Sequence, residues 1–273
     1  MQNPAIQLTG VVKRFKQHEV LKGLNLVVPE RSIFAFLGNN GEGKSTAIRL
    51  MLGLLHPDQG RIQILGRDIT TERKWILKQT GCLVEAPSAY PNLTAREFLR
   101  IACVLKSLSL TEIDRVLGVV GLFGDGRRLI SQFSLGMKQR LALAHALLGS
   151  PKLLILDEPG NGLDPVGMQE IRNLIASLPE TGNCTVLVSS HQLDEVEKIA
   201  THLALLKNGR VQFQSEMAAL YAQQDAYLTL LVDDAVLAQR VLMESWSIRL
   251  LKSRLRVHNL YVCIVFHRNW LIK

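Results

Sequence analysis

One nine-residue run, GNNGEGKST at residues 38–46, constrains the possible fold of this chain more than any other feature. The run follows the apolar stretch SIFAFL, which is typical of a buried strand, and precedes AIRLMLGLL, which is typical of a helix. Its GxxxxGK[ST] spacing suits a phosphate group, because glycines let backbone N–H groups turn inward and the helix start presents unpaired N–H groups. The alternative is a chance glycine-rich turn, which the flanking strand and helix disfavour.

This phosphate loop predicts a nucleotide site with a divalent metal. Lys44 would bring a point charge to the β- and γ-phosphates, and the Ser45 hydroxyl can ligate Mg²⁺. The candidate nucleotide-binding residues of the loop are Gly38, Asn39, Asn40, Gly41, Glu42, Gly43, Lys44, Ser45 and Thr46.

Two acidic residues, Asp157 and Glu158, follow the apolar run LLIL at the end of a predicted strand. The alternative interpretation is an ordinary strand end with solvated charges. Beside a phosphate loop, however, Asp157 is suited to hold Mg²⁺ and Glu158 to polarise the attacking water as general base. Because carboxylates repel a triphosphate unless Mg²⁺ and Lys44 offset the charge, we expect nucleotide hydrolysis to require Mg²⁺.

His191 is a third candidate for catalysis, beside Lys44 and Glu158. It follows the predicted strand CTVLVSS and lies 34 positions after Asp157. A single histidine at a strand end is usually structural, and that alternative remains open. In this context the imidazole is well placed to reach the γ-phosphate and to hold either the water or Glu158.

With these motifs, the sequence resembles the nucleotide-binding subunit of an ATP-binding cassette (ABC) transporter. The resemblance covers residues 5 to about 216 and rests on an ordered set of family elements. Within the family, VEAPSAYPNLTAREFL and FSLGMKQRLALAHAL are most similar to exporters of bacitracin and lantibiotic-type peptides, with multidrug exporter subunits as neighbours. The ordered elements are Phe15, Lys44, Glu85, FSLGM at 133–137, Asp157, Glu158, the loop at 161–164 and His191.

The resemblance implies the cofactors ATP and Mg²⁺ and assigns further residues to them. Phe15 would stack on adenine, and a core aromatic residue on a strand is the alternative. Glu85 stands where the family usually has a glutamine that contacts Mg²⁺ and the water. A glutamate can also ligate Mg²⁺, but it adds a negative charge and cannot donate an amide hydrogen bond. The implied metal ligands are therefore Ser45, Glu85 and Asp157.

FSLGM occupies the position of the family signature LSGGQ, so Ser134 and Gly136 are retained while Leu135 and Met137 replace a glycine and a glutamine. A serine before a helix is a typical N-cap, and a helix N-terminus attracts anions. The resemblance implies a head-to-tail dimer in which Ser134 and Gly136 of one copy close the phosphate loop of the other. A helix cap without this role is the alternative, and Leu135 is expected to weaken the closed dimer.

The order of strand and helix patterns predicts an α/β fold with a parallel sheet. Residues 87–150 read as mostly helical, with N-caps at Thr94 and Thr111, and Asn208 with Gly209 predicts a hairpin. Together with the resemblance, this implies a P-loop NTPase (RecA-like) core with an N-terminal antiparallel β subdomain and an inserted ABC α-helical subdomain. We assign residues 1–220 to the ATPase domain, about 87–150 to the helical subdomain, and 221–273 to a small C-terminal α+β extension.

Charge and cysteine content favour a cytoplasmic protein. Six basic residues and no acidic ones follow Glu244, so they supply six of the eight net positive charges and the rest of the chain carries +2. The cysteines lack metal-site spacing and are expected to be reduced thiols: Cys82, Cys103, Cys184 and Cys263. The N-terminus has no signal-peptide pattern, and no uncharged run approaches the ~18 residues of a membrane span.

We therefore predict an ATPase subunit that powers an exporter by ATP-driven dimerisation, for peptide antibiotics, lantibiotics or multidrug substrates. Its expected partners are an integral membrane permease, which would hold it at the cytoplasmic face of the membrane, and a second copy of itself. No nucleic acid is expected. The alternative is a soluble ABC ATPase that acts on nucleic acid or ribosomes. The basic segment 245–273 would either contact anionic lipid headgroups or form a solvated face.

Overall fold

A computed structural model of the chain describes residues 4–84, 90–182, 184–223, 226–231 and 261–266. Contacts divide the chain into a large unit, Met1–Met217, and a small unit, Ala218–Lys273. Within the described ranges, no helix combines the length and the apolar character that a membrane span requires.

The strands are β1 (Ile6–Phe15), β2 (His18–Val28), β3 (Ile33–Leu37), β4 (Gln59–Ile64), β5 (Arg67–Asp68), β6 (Thr80–Leu83), β7 (Leu153–Asp157), β8 (Thr185–Ser190), β9 (His202–Lys207), β10 (Arg210–Glu216), β11 (Ala226–Leu231) and β12 (Tyr261–Phe266). The helices are α1 (Lys44–Met51), α2 (Ile69–Gln79), α3 (Ala95–Lys106), α4 (Thr111–Val119), α5 (Leu135–Ala146), α6 (Pro165–Gly182), α7 (Leu193–Val196) and α8 (Met217–Gln223).

The large unit contains two sheets. An antiparallel sheet has the order β2-β1-β4-β5, and a six-stranded sheet has the order β10-β9-β3-β8-β7-β6. The second sheet is parallel except for the edge strand β10, which pairs antiparallel with β9. The hairpin predicted at Asn208 and Gly209 is the connection between these two strands. The predicted α/β class, with an antiparallel subdomain before the parallel core, is confirmed.

One hydrophobic core connects the two sheets. All five residues of β3 are buried, as expected for a parallel strand that is covered on both faces. Phe34 and Phe36 of this strand share a cluster with Ile48 of α1 and with Leu8 and Leu26 of the antiparallel sheet. The phosphate loop, which directly follows β3, therefore begins at the end of a strand that this core holds in place.

The segment between the strands β6 and β7 is helical in its described part. Thr94 caps α3 as predicted, because its hydroxyl accepts from the Glu97 N–H at 3.2 Å while Glu97 accepts from the Thr94 N–H at 2.8 Å. The predicted cap at Thr111 is wrong. Leu110 is the N-cap of α4, and Thr111, the first helical residue, donates its N–H to the Ser109 hydroxyl at 3.3 Å.

Helix α2 was absent from the sequence prediction. Its sequence, ITTERKWILKQ, buries only Ile69 and Ile76, so the apolar repeat that announces a helix is weak. The local signal is Asp68 instead, whose carboxylate accepts from the Thr70 N–H at 2.9 Å. An N-cap thus marks this helix better than its hydrophobic pattern does.

In the small unit, β11 pairs antiparallel with β12, from Ala226 opposite Phe266 to Leu231 opposite Tyr261. Both strands lie in the C-terminal extension that the sequence predicted at residues 221–273. The part of the predicted extension between these strands, and the part after the second strand, lie outside the described residues.

Candidate active site

The site is assembled at the carboxyl ends of three neighbouring parallel strands. In the sheet register, Leu37 at the end of β3 is opposite Ser190 of β8, and Asp157 at the end of β7 is opposite Ser189. The residues that follow these ends are the phosphate loop, Glu158 and His191. Open α/β sheets bind ligands at this edge, so the sheet order brings together three motifs that are distant in the sequence.

The phosphate loop depends on glycine at two positions. Gly43 has a φ of 103° and is the N-cap of α1, and a Cβ there would lie 2.9 Å from Leu21 Cδ2. A Cβ on Gly38 would lie 2.7 Å from the backbone oxygen of Leu206. A larger residue at Gly38 would meet the backbone of β9, and at Gly43 the positive φ itself disfavours any residue with a side chain. The loop is thus held close to the sheet, with the start of α1 directly behind it.

Lys44 is buried, with only 5% of its surface exposed. Its Nζ donates to the backbone oxygens of Gly38 at 2.6 Å and Asn39 at 3.3 Å. It also lies 3.5 Å from Glu158 Oε1. An ammonium group in such surroundings interacts strongly with an added anion, because little water screens it.

Glu158 is the point where the three strand ends converge. Its Oε1 faces Lys44, while its Oε2 lies 3.3 Å from His191 Nδ1. Its backbone N–H is shared between the oxygen of Ser189 at 3.2 Å and the Ser189 hydroxyl at 3.0 Å. The three predicted catalytic residues, Lys44, Glu158 and His191, are therefore in direct contact through this carboxylate.

Ser189 was missed by the sequence analysis. Its hydroxyl donates a short hydrogen bond to Asp157 Oδ1 and also accepts from the Glu158 N–H. The signal was present in VLVSS, where two hydroxyl residues end an otherwise apolar strand and are both buried. Ser189 thus fixes the position of both acidic residues.

The predicted metal ligands are placed as follows. Ser45 is in the first turn of α1, and Asp157 is the last residue of β7, next to β8. Glu85 lies outside the described residues. A hydroxyl and a carboxylate are hard oxygen donors of the kind Mg²⁺ prefers, and Mg²⁺ usually takes few protein ligands and keeps phosphate and water oxygens. The donors present fit this ion.

Phe15 lies at the end of β1, where it pairs with His18 across a tight turn. Phe15 is 44% exposed, and Lys13 Nζ lies 5.7 Å from the centroid of its ring. Phe15 is therefore not part of the hydrophobic core, which was the alternative interpretation. A half-exposed ring of this kind is available for stacking on a planar ligand.

Ser134 is the N-cap of α5, and its hydroxyl accepts from the Met137 N–H at 3.2 Å. Leu135, which replaces a glycine of the family signature, is 52% exposed. A Cβ on Gly162 would lie 3.3 Å from Leu135 Cδ2, and a Cβ on Gly136 would lie 3.8 Å from Leu163 Cδ2. The signature stretch therefore packs beside the loop that follows Glu158.

A pocket of about 170 Å³ opens beside Glu158 and His191. Glu158 and His191 line one part of it, and the loop at residues 160–163 lines another. The pocket is bordered by Met168 at the start of α6. The pocket is large enough to hold water molecules next to the Glu158 carboxylate.

The sequence pattern of the ABC transporter family matches residues 21–161, just over half of the chain. The bacitracin transport ATP-binding protein BcrA of Bacillus licheniformis is 42% identical over 230 residues, which cover 84% of this chain and 75% of that protein. The chain belongs to the ABC transporter family.

Further relatives and solved structures agree with this ABC transporter assignment. The lantibiotic transport ATP-binding protein SrtF of Streptococcus pyogenes is 37% identical and covers 77% of this chain and 90% of that protein. A solved ATP-binding subunit of an ABC transporter superposes with a TM-score of 0.71 at 30% identity, over 80% of this chain and 92% of that one. The protein cbiO1 of Clostridium perfringens, part of the transporter complex cbiONQ, superposes with a TM-score of 0.73 at 26% identity, over 89% and 96%.

The resemblance predicted from the motifs is therefore confirmed, including its likeness to bacitracin and lantibiotic transport subunits. As an ABC transporter ATP-binding domain, the chain binds nucleotide, and ATPase activity is the activity of its family.

Proposed function

We propose that the chain hydrolyses Mg-ATP to power a transporter that exports a bacitracin-like or lantibiotic-like peptide. The observation that carries the hydrolytic part is the contact of Glu158 with both Lys44 and His191, at 3.5 and 3.3 Å. The export part is supported by the two relatives, BcrA and SrtF, whose names specify transport of these peptides.

The proposed roles follow from charge and hydrogen bonding. Lys44, which now donates to backbone oxygens of its own loop, would turn its ammonium group to the β- and γ-phosphates. Glu158 would take the proton of the attacking water as general base. His191 Nδ1 is close enough to Glu158 Oε2 to orient the carboxylate.

Ser45 and Asp157 are the proposed protein ligands of Mg²⁺, with Glu85 as a further candidate. The ion would offset the charge of the phosphate oxygens, which otherwise repel Asp157 and Glu158. Phe15 is proposed to stack on adenine. These residues contribute binding and charge compensation, and Glu158 contributes the proton transfer.

The proposed assembly is a head-to-tail dimer attached to an integral membrane permease on the cytoplasmic face. Ser134 caps a twelve-residue helix whose N-terminus would attract the γ-phosphate of the other copy. Gly136 follows in the first turn, where a small residue permits close approach.

The hydrolytic proposal is tested by Glu158→Gln, which keeps the shape of the side chain and removes its basicity. We expect kcat for ATP hydrolysis to fall at least about hundredfold, while ATP still binds. Steady-state ATPase assays with and without EDTA, together with equilibrium binding, check this. The control is Glu72→Gln, since Glu72 of α2 lies in an exposed pair with Arg67 of β5, and its substitution should leave kcat unchanged.

The export proposal is tested in a bacterial host that expresses the chain with its membrane subunit. We expect resistance to bacitracin or to a lantibiotic that disappears with Lys44→Ala. Tight, salt-sensitive binding of nucleic acid or ribosomes, without any change in peptide resistance, would contradict the export proposal and favour the non-transport alternative.

A further inference from the structure

Gln139 of α5 is a buried polar residue that none of the proposed roles uses. We infer that Gln139 is a positioning residue, which holds the backbone after Glu158 so that the carboxylate stays aimed at the attacking water. The inference rests on the proposed role of Glu158 as general base.

The first observation is the hydrogen bond that Gln139 makes. Its side chain is 9% exposed, and its Nε2 donates to the backbone oxygen of Pro159 at 2.6 Å. Pro159 directly follows Glu158. A buried amide is costly unless it is paired, so this bond fixes both the glutamine side chain and the Pro159–Gly160 peptide plane, one residue after Glu158.

The second observation is the backbone of Glu158 itself. Its φ is +47°, in the left-handed region that residues other than glycine rarely adopt. Such conformations persist only when the surrounding structure holds them. Ser189 holds the N–H of Glu158 with two acceptors. Gln139 holds the carbonyl of the next residue, so the unusual conformation is restrained on both sides.

The third observation extends the contact to the start of α5. Leu135 lies against Gly162 and Leu163 lies near Gly136, as the short distances to a hypothetical Cβ at each glycine indicate. The first turns of the helix and the loop after Glu158 are therefore packed together over several residues. A displacement of α5, whose N-cap is Ser134, would be transmitted to Glu158 through Gln139 and Pro159.

If Gln139 only filled space, its replacement would lower the stability of the protein. It would not lower kcat selectively over KM for ATP. The two roles are separated by kinetics. Positioning of the base acts on kcat. ATP binding depends on the phosphate loop instead, and no hydrogen bond joins Gln139 to that loop within the described part of the chain.

The variant Gln139→Met keeps the length of the side chain and removes the donor. We expect kcat to fall about tenfold while KM for ATP changes less than about twofold, because misplacement of a catalytic group lowers the rate of the chemical step. The matched control is Gln169→Met, whose amide donates to Asn173 on the exposed face of α6 and whose loss should leave kcat unchanged. Equal kcat values for Gln139→Met and the wild type would overturn the inference.

A double-mutant cycle with Glu158→Gln tests whether Gln139 acts through Glu158. If it does, Gln139→Met will cause no further loss in the Glu158→Gln background, because the base is already absent. A full additional tenfold loss there would overturn the inference. Undiminished hydrolysis by Glu158→Gln alone would instead refute the role of the base, which separates that failure from the failure of Gln139.

Folding is controlled by thermal unfolding and by equilibrium ATP binding of each variant. If Gln139→Met does not fold, Gln139→Glu replaces it, since this variant keeps size and polarity but presents an acceptor to the Pro159 oxygen. It is expected to show the same fall in kcat with ATP binding retained. A Gln139→Glu variant with wild-type kcat would overturn the inference.

Discussion

Glu42 places a carboxylate inside the phosphate loop, where it would repel a bound triphosphate. In the structure its Oε2 accepts a short hydrogen bond from the backbone N–H of Asn208, at the turn of the β9–β10 hairpin. This turn is itself attached to β2, because the Gly209 oxygen accepts from the Lys22 N–H at 2.9 Å. The Glu42 side chain therefore anchors the phosphate loop to the β9–β10 turn, and this turn is bonded to β2.

The anchoring and the charge of Glu42 have opposite effects on ATP affinity, and Glu42→Gln separates them. The glutamine oxygen can still accept from Asn208 while the negative charge is gone. We expect the Kd for ATP to fall about two- to fivefold at low salt, with a smaller change at high salt because surface charge is screened. Equilibrium binding at two ionic strengths measures both values.

Glu42→Ala, which removes the acceptor as well, is expected to bind ATP more weakly than Glu42→Gln. Glu72→Gln is the control, because Glu72 pairs on the surface with Arg67 of β5, at the opposite edge of the antiparallel sheet from β2. Equal weakening of binding by Glu42→Gln and Glu42→Ala would contradict an electrostatic effect of Glu42.

The site residues that could be predicted from the sequence are those that belong to short contiguous motifs. Lys44 and Ser45 follow from a single contiguous motif, and Glu158 follows from its place after an apolar strand. Gln139 and Ser189 could not be recognised in the same way. Their partners are Pro159 and Asp157, and only the sheet register and the packing of α5 bring these groups together.

At the scale of the element, α4 is attached to the end of α5 by two charged residues. Glu112 accepts from Arg115 Nε at 2.9 Å and Nη2 at 2.7 Å, and from the Gly149 N–H at 2.9 Å. Arg115 also donates to the backbone oxygen of Leu147 at 2.9 Å. Side-chain hydrogen bonds from Arg115, followed by the bond from Gly149, hold the pKa of Glu112 below its usual value.

The sign of this pKa shift predicts how Glu112 contributes to stability. A lowered pKa in the folded state means stabilisation that is present above 4.5, the usual pKa of a glutamate, and lost as the pH falls through the lower folded value. Glu112→Gln should therefore lower the free energy of unfolding by about 0.5–1 kcal/mol at pH 7. Urea unfolding at pH 7 and in acid measures the difference, which should shrink as Glu112 becomes protonated.

Asp125→Asn provides the comparison for Glu112→Gln, because Asp125 lies in an exposed pair with Arg128 at a longer distance, 3.5 Å. It should change stability less. An equal loss for the two variants, or a loss at Glu112 that is independent of pH, would contradict the attachment of α4 to α5 through this charge.

Helices and strands were predictable to the extent that their signals are strong and local. The capping box of Thr94 and Glu97 and the Asn208–Gly209 hairpin are of this kind. Helix α2 lacks a clear apolar face, since most of its residues are polar, and its position is set by packing against β4 and β5. The start of α4 differed by one residue because Ser109, not Thr111, supplies the hydroxyl.

At the scale of the whole molecule, the alternation of strands and helices predicts a parallel sheet but leaves its order open. The order β9-β3-β8-β7 places β8 between the strand of the phosphate loop and the strand of the acidic pair. His191 and Ser189 therefore lie between Lys44 and Asp157. This order is a property of tertiary packing, and the alternation of strands and helices along the sequence does not determine it.

In the proposed head-to-tail dimer, two different defective chains can together form one intact nucleotide site. This is impossible if each chain contains its whole site. Each nucleotide site would combine Lys44 of one copy with Ser134 of the other. A mixed dimer of Lys44→Ala and Ser134→Ala chains then has one site with both defects and one site with neither. A self-contained site would instead carry one defect in every copy, and mixing would restore nothing.

The mixing experiment uses the Glu158→Gln background, in which hydrolysis is blocked and bound ATP is retained. We expect each single variant to retain little ATP and an equal mixture to recover about a quarter of the parental amount, because half the dimers are mixed and each has one intact site of two. Retention of labelled Mg-ATP on a desalting column measures this, with differently tagged chains to verify that mixed dimers form. Verified mixed dimers without recovery would contradict the shared site and leave Ser134 with the role of a helix cap.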